Sequence, residues 1–95
     1  MIIDPNELRF IREAVLAELY RLTTGRGATA KALHAFIGPD CPFAVTVEDV
    51  ERALAFWGVN VRSQEDSISP GAAPRWSITP EGMRTAEREH LIRRG

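Results

Sequence analysis

The chain has 95 residues, with 12 Lys or Arg against 13 Asp or Glu, 44% hydrophobic residues and a formal charge of −1. That length suits one domain, 1–95, whose single core buries roughly two-thirds of the surface of the unfolded chain. The near-neutral balance excludes a protein that coats nucleic acid by net charge alone, and the hydrophobic content excludes a disordered acidic tail. No stretch approaches the ~20 apolar residues of a membrane span, so no membrane partner is expected. Met1-Ile2-Ile3-Asp4-Pro5 has neither a basic region nor a long apolar one, so a signal peptide is not expected. Cys41 is the single cysteine, without an intrachain disulfide partner, and the expected compartment is the cytoplasm.

The first helix carries three start signals. Asp4 stands as N-cap, Pro5 at the first helical position, and Glu7 three residues after the cap. Ile3 and Leu8 have the spacing of a hydrophobic staple. Leu8, Ile11, Val15, Leu19 and Leu22 then recur at steps of three and four, flanked by Leu16, while Arg9–Glu13 and Glu18–Arg21 are spaced to pair on the wet side. Gly25 and Gly27 are expected to end this helix. A second helix is predicted from about Thr29 to Ile37, with Ala30, Leu33 and Ile37 on one face and Gly38-Pro39 as its stop.

Two prolines in Gly38-Pro39-Asp40-Cys41-Pro42 break the helical pattern, and Phe43-Ala44-Val45 reads as a short strand or a packed loop. Thr46 caps a third helix with Asp49 at the capping-box position, and Val45 and Val50 form a second staple. Val47, Val50, Leu54 and Trp57 make its inner stripe, which stops at Gly58. The period then changes to alternation. Val59 and Val61 oppose Asn60 and Arg62, and Trp76 and Ile78 repeat the pattern beside Arg75, Ser77 and Thr79. Gln64 to Pro74 is rich in Ser, Gly, Pro and Ala, which predicts a hairpin with a long tip over about 59–79. Thr79-Pro80 opens a fourth helix with Met83, Ala86 and Leu91 inward and Glu89–Arg93 paired outward. The predicted core is Leu8, Ile11, Val15, Leu19, Leu33, Ile37, Val50, Leu54, Trp57, Trp76 and Ile78.

The order helix, helix, helix, hairpin, helix resembles the winged helix-turn-helix family. The run Arg75-Trp76-Ser77-Ile78-Thr79-Pro80-Glu81-Gly82 looks like the aromatic-x-[Leu/Ile]-Thr-Pro-x-Gly segment with which PadR-like and MarR-like repressors close the wing. The resemblance implies an α+β, mainly α, single winged-helix domain: three helices, a two-stranded β-hairpin wing and a C-terminal helix. The likeness covers most of the chain in architecture and about eight residues in literal motif. The turn between the second and third helices, Gly38 to Val45, is longer than in a compact helix-turn-helix.

The family lays its third helix in the major groove of double-stranded DNA. Here the outward line of that helix is Glu48, Arg52 and Ala55, flanked by Asp49 and Glu51, so residues 46–58 carry a charge of −2. Affinity for a groove comes largely from Lys and Arg neutralising phosphates on both its sides. The simpler reading is that the acids favour the helix N-terminus and that Glu48 pairs with Arg52. Other cations are dispersed. Arg26 and Lys31 flank the second helix, Arg62 and Arg75 lie on the polar phase of the hairpin, and Arg84, Arg88, Arg93 and Arg94 interleave with Glu81, Glu87 and Glu89. Eleven arginines against one lysine also fit a general arginine bias at a solvated surface.

Enzyme signatures do not assemble, and neither a catalytic site nor a cofactor is expected. Gly25-Arg26-Gly27 lacks the rest of a phosphate loop. His34, Cys41 and His90 have no metal-ligand spacing and read as edge-of-core histidines and a loop cysteine, so no metal is expected. Phe36, Phe43, Phe56 and Trp57 cluster around the second and third helices, with Phe56 off the inner stripe as a mark of a second contact face. Two functions follow. The first is a small winged-helix DNA-binding protein, a transcriptional regulator or accessory factor of bacterial type, contacting DNA through Arg26, Lys31, Arg52, Arg62 and Arg75. It is expected to act as a homodimer paired through the first and fourth helices. The alternative is a protein-interaction module that does not bind DNA and holds a partner with Glu48, Asp49, Glu51 and Phe56.

Overall fold

A computed structural model of the chain describes residues 3–22, 27–65 and 71–89. Among them it has an α+β, mainly helical architecture with four α-helices and one two-stranded antiparallel hairpin. The helices are α1 (Pro5–Arg21), α2 (Ala30–Ile37), α3 (Val47–Trp57) and α4 (Pro80–Arg88), and the strands are β1 (Val61–Gln64) and β2 (Arg75–Ile78). Each helix begins at a side-chain cap, at the predicted residue for α1, α3 and α4 and at Thr29 for α2. Asp4 accepts from the amides of Asn6 and Glu7, Thr29 from Ala32, Thr46 from Asp49 and Thr79 from Gly82.

The core lies where α1 crosses α2, α3 and α4, with the hairpin base closing one side. Ile11, Val15, Leu16 and Leu19 come from α1, Leu33 and Ile37 from α2, and Val50, Ala53 and Leu54 from α3. Ala28, Val61, Ile78 and Ala86 complete it. Burying one Leu or Ile of this set contributes roughly 1.5–3 kcal/mol. Leu8, Trp57 and Trp76, expected inside, are half-buried, and Ala53, which the predicted inner stripe of α3 does not include, is buried. The 18–21 and 9–13 ion pairs form at 3.2 and 3.0 Å.

Several expectations are corrected. The helix α1 ends at Arg21 with Leu22 as its cap, several residues before the glycines assigned to stop it. Gly27 does have φ +76°, but there it lets the chain pass against the Trp76 carbonyl, where a Cβ would collide. Val59 is not in a strand: Gly58–Asn60 is a 3-10 turn and Val59 is 75% exposed. Gly58 at φ +51° and an Asn60 side-chain bond to the Trp57 carbonyl (2.8 Å) turn the chain, so alternation begins only at Val61. Phe43-Ala44-Val45 is a packed loop, with the His34 ring Nε2 2.8 Å from the Val45 carbonyl oxygen. The register pairs Val61 with Ile78, Arg62 with Ser77, Ser63 with Trp76 and Gln64 with Arg75.

An isolated antiparallel bridge, Ala28 to Trp76, ties the α1–α2 connector to β2. No helix among the described residues is long and apolar enough to cross a membrane. Gly25, Arg26, the hairpin tip 66–70, His90, Leu91, Arg93 and Arg94 lie outside the described residues.

Candidate interaction surface

The first turn of α3 is a closed hydrogen-bonded unit. The Thr46 hydroxyl accepts from the Asp49 amide (3.2 Å), and Asp49 Oδ2 accepts from both the amide and the hydroxyl of Thr46, each at 2.9 Å. Arg52 Nη1 donates to the other oxygen, Oδ1, at 3.2 Å. Asp49 is 5% exposed. Its carboxylate therefore serves the cap and a neighbouring guanidinium, and it is not a surface contact residue as expected. The expected Glu48–Arg52 pair is replaced by Arg52–Asp49, because one turn of helix brings the positions three apart together over the buried cap.

This arrangement decides the electrostatics of α3. Glu48 and Glu51 are exposed, as are Ala55 and Phe56, while the helix's one cation is tied to a buried acid. Phe56 is 55% exposed and sits edge-on to Trp57, with centroids 5.3 Å apart at 77°. The Arg12 guanidinium stacks over its ring at 3.8 Å. Trp57 Nε1 donates to the Arg12 carbonyl at 2.7 Å, so α1 and α3 are fastened at this edge through both the backbone and the side chain of one residue. The sequence held no signal for the role of Arg12, which depends on how α1 crosses α3. Arg12 and Arg52 also border a cleft of ≈ 290 Å³ with Ile3, Leu8, Ile11, Asp49 and Ala53.

The other predicted cations sit elsewhere. By the strand register, Arg62, Gln64, Arg75 and Ser77 share the hairpin face opposite Val61, Trp76 and Ile78. Arg62 and Arg75 are diagonal neighbours there, both exposed, and neither forms an ion pair among the described residues. Lys31 is exposed on the first turn of α2. No group of three or more His, Cys, Asp or Glu that could hold a metal ion occurs among the described residues. The helices α1 and α4, expected as the pairing faces of a dimer, pack on each other within the chain, where the Tyr20 hydroxyl donates to Glu87 at 2.8 Å.

Family models, curated proteins and solved structures were each compared with the chain, and none matches.

Proposed function

We propose that the chain is a winged-helix domain that works as a protein-docking module, offering the acidic outer face of α3 and the Phe56 ring to a basic partner surface. The winged-helix assignment draws on the order of the elements and on the Thr79–Gly82 closure of the hairpin onto α4. It draws too on the Ala28–Trp76 bridge, which holds the hairpin base against the helices. The observation that carries the docking reading is the pairing of half-exposed Arg52 with buried Asp49, which offsets that cation and leaves the charges of Glu48 and Glu51 in excess on the outer side of α3. A major groove flanked by phosphates repels that face. One Glu can accept from a cytosine amino group, but it supplies none of the phosphate neutralisation from which affinity comes. A partner helix or loop with Lys or Arg beside an apolar side chain satisfies both the acids and Phe56. A cytoplasmic setting, where Cys41 stays a thiol, fits this role.

Fluorescence anisotropy with two probes tests it: a random-sequence DNA duplex at low salt, and a Lys/Arg-rich amphipathic peptide. The wild-type chain is expected to leave the duplex free and to bind the peptide, and the Glu48→Gln/Glu51→Gln variant to lose the peptide. Tight duplex binding that Arg52→Ala abolishes would overturn the reading.

The shared hairpin face of Arg62 and Arg75 favours a second reading, a DNA-binding regulator or accessory factor whose phosphate contacts come from the wing and Lys31, not from α3. Two lost contacts then lower the salt slope by about two units in Arg62→Ala/Arg75→Ala.

A further inference from the structure

Arg12 lies at the seam of α1 and α3, where its position is fixed twice. Its backbone carbonyl accepts from Trp57 Nε1 at 2.7 Å, and its guanidinium stacks over the Phe56 ring at 3.8 Å. Among the described residues it enters no ion pair, whereas Arg9, Arg21, Arg52, Arg84 and Arg88 each face a carboxylate. Stacking occupies the flat face of a guanidinium and leaves its N–H edge for a planar acceptor. Arg12 borders the ≈ 290 Å³ cleft whose apolar walls are Ile3, Leu8, Ile11 and Ala53, with Arg52 and Asp49 beside them. Arg52 and Asp49 offset each other at 3.2 Å. The three charged groups of the cleft therefore sum to +1, and the excess falls on Arg12.

We infer that this cleft binds a small alkanoate, with its carboxylate on the N–H edge of Arg12 and its alkyl chain against Ile3, Leu8, Ile11 and Ala53. One unbalanced cation calls for one anionic group, and a guanidinium matches a carboxylate through two parallel hydrogen bonds. The four apolar residues are all aliphatic, which suits an alkyl chain. Ligand sites run from roughly 300 to 1,000 Å³, and this cleft stands at the small end, so it fits a chain of about eight carbons and not a long lipid. The adjoining cleft, which Arg12 also borders, disfavours the same ligand. There Glu13 and Glu89 oppose a carboxylate, and Arg9 is already paired with Glu13. Glu48 and Glu51 do not line the alkanoate cleft, so this binding goes beyond the docking role of α3 and does not depend on it.

Proton–nitrogen correlation NMR of the full chain, titrated with octanoate, tests the site. Shifts are expected at the amides of residues 11–13 and 52–54, with a dissociation constant of about 1 mM or below. 1-Octanol has the tail without the charge and acetate the charge without the tail, and each is expected to bind at least about 10-fold more weakly. Lengthening butanoate to hexanoate and octanoate is expected to tighten binding about two- to four-fold per methylene. Arg12→Gln is expected to weaken octanoate about 10-fold or more and to leave 1-octanol unchanged. Arg9→Gln makes the same charge change outside the cleft and is expected to leave octanoate binding intact. Ile3→Ser alters an exposed wall residue ahead of α1, without disturbing the core, and is expected to weaken octanoate about two- to four-fold. No saturable shift up to about 10 mM octanoate overturns the inference. So does binding that 1-octanol or acetate matches, or that Arg12→Gln leaves intact.

Discussion

Gly82 lies against the backbone carbonyl of Asn60 so closely that a Cβ on it would overlap both that oxygen and the Ile78 side chain. The contact explains the Thr-Pro-x-Gly segment physically. Thr79 donates its hydroxyl to the Val59 carbonyl (2.6 Å) and its amide to the Asn60 carbonyl (3.1 Å), while Pro80 starts α4 and Gly82 lets that helix settle onto the turn. Thr85 adds a bond to the Asn60 side chain at 2.8 Å.

Gly82→Ala is therefore expected to destabilise the domain by about 1–3 kcal/mol, the usual cost of overpacking a tight contact. Urea unfolding followed by tryptophan fluorescence measures it. Ala introduced at half-buried Gly38 is expected to leave the midpoint nearly unchanged, because a Cβ there meets nothing within 4 Å.

Asp49 couples stability to surface charge. Asp49→Ala removes the box partner of Thr46 and strands Arg52, at an expected cost of about 2 kcal/mol in the same unfolding assay. The released Arg52 is expected to raise non-specific affinity for duplex DNA at low salt. Anisotropy that shows no gain in a variant still folded would disprove the idea that Asp49 holds this cation back.

Trp57 and Arg12 separate a backbone role from a side-chain role. Trp57→Phe loses the bond to the Arg12 carbonyl and is expected to cost about 1 kcal/mol. Arg12→Ala keeps that carbonyl and loses only the stacking on Phe56, with an expected cost of about 0.5–1 kcal/mol. Equal losses near 3 kcal/mol for both would show instead that this edge repacks as a whole.

The Glu81 carboxylate, exposed at the N-terminus of α4, is held below its ordinary 4.5 chiefly because it accepts from its own backbone amide. The Thr79 hydroxyl and Arg84 act in the same direction. A depressed folded-state value stabilises the fold above the ordinary value, and the gain is lost as pH falls through the folded one. Stability is expected to decline on acidification below about pH 4.5 with a small share from Glu81, and Glu81→Gln to flatten that share. Thermal melts of the two proteins at matched pH are the measurement.

Much of this architecture is legible in the chain because its signals are local. A cap and its target lie within three residues, as at Asp4, Thr29, Thr46 and Thr79, and the inner stripes of α1 and α3 repeat with the helical period. What fails depends on neighbours distant in sequence. Val59 alternates correctly with Val61, yet the Thr79 hydroxyl and a left-handed Gly58 bend it out of the strand. Asp49 was readable as a capping-box residue, but its burial, and hence its claim on Arg52, follows from α3 lying against α1. Phe10, Ala14 and Ala17 have helical spacing, although only the position of α2, with Phe36 and Ile37, makes that line one side of a cavity.

The Ala28–Trp76 bridge also has a kinetic consequence. Its two amide-to-carbonyl bonds, at 2.9 and 2.7 Å, join points separated by about half the chain. A two-stranded ribbon of four-residue strands is marginal by itself in water. The ribbon must therefore wait for α1, α2 and α3 to close the long loop that brings Ala28 to its edge, a step slow relative to local helix formation. In a mutational analysis of the folding transition state, substitutions in the α1–α3 contact should slow folding, while those at Ser63 and Trp76 should mainly speed unfolding.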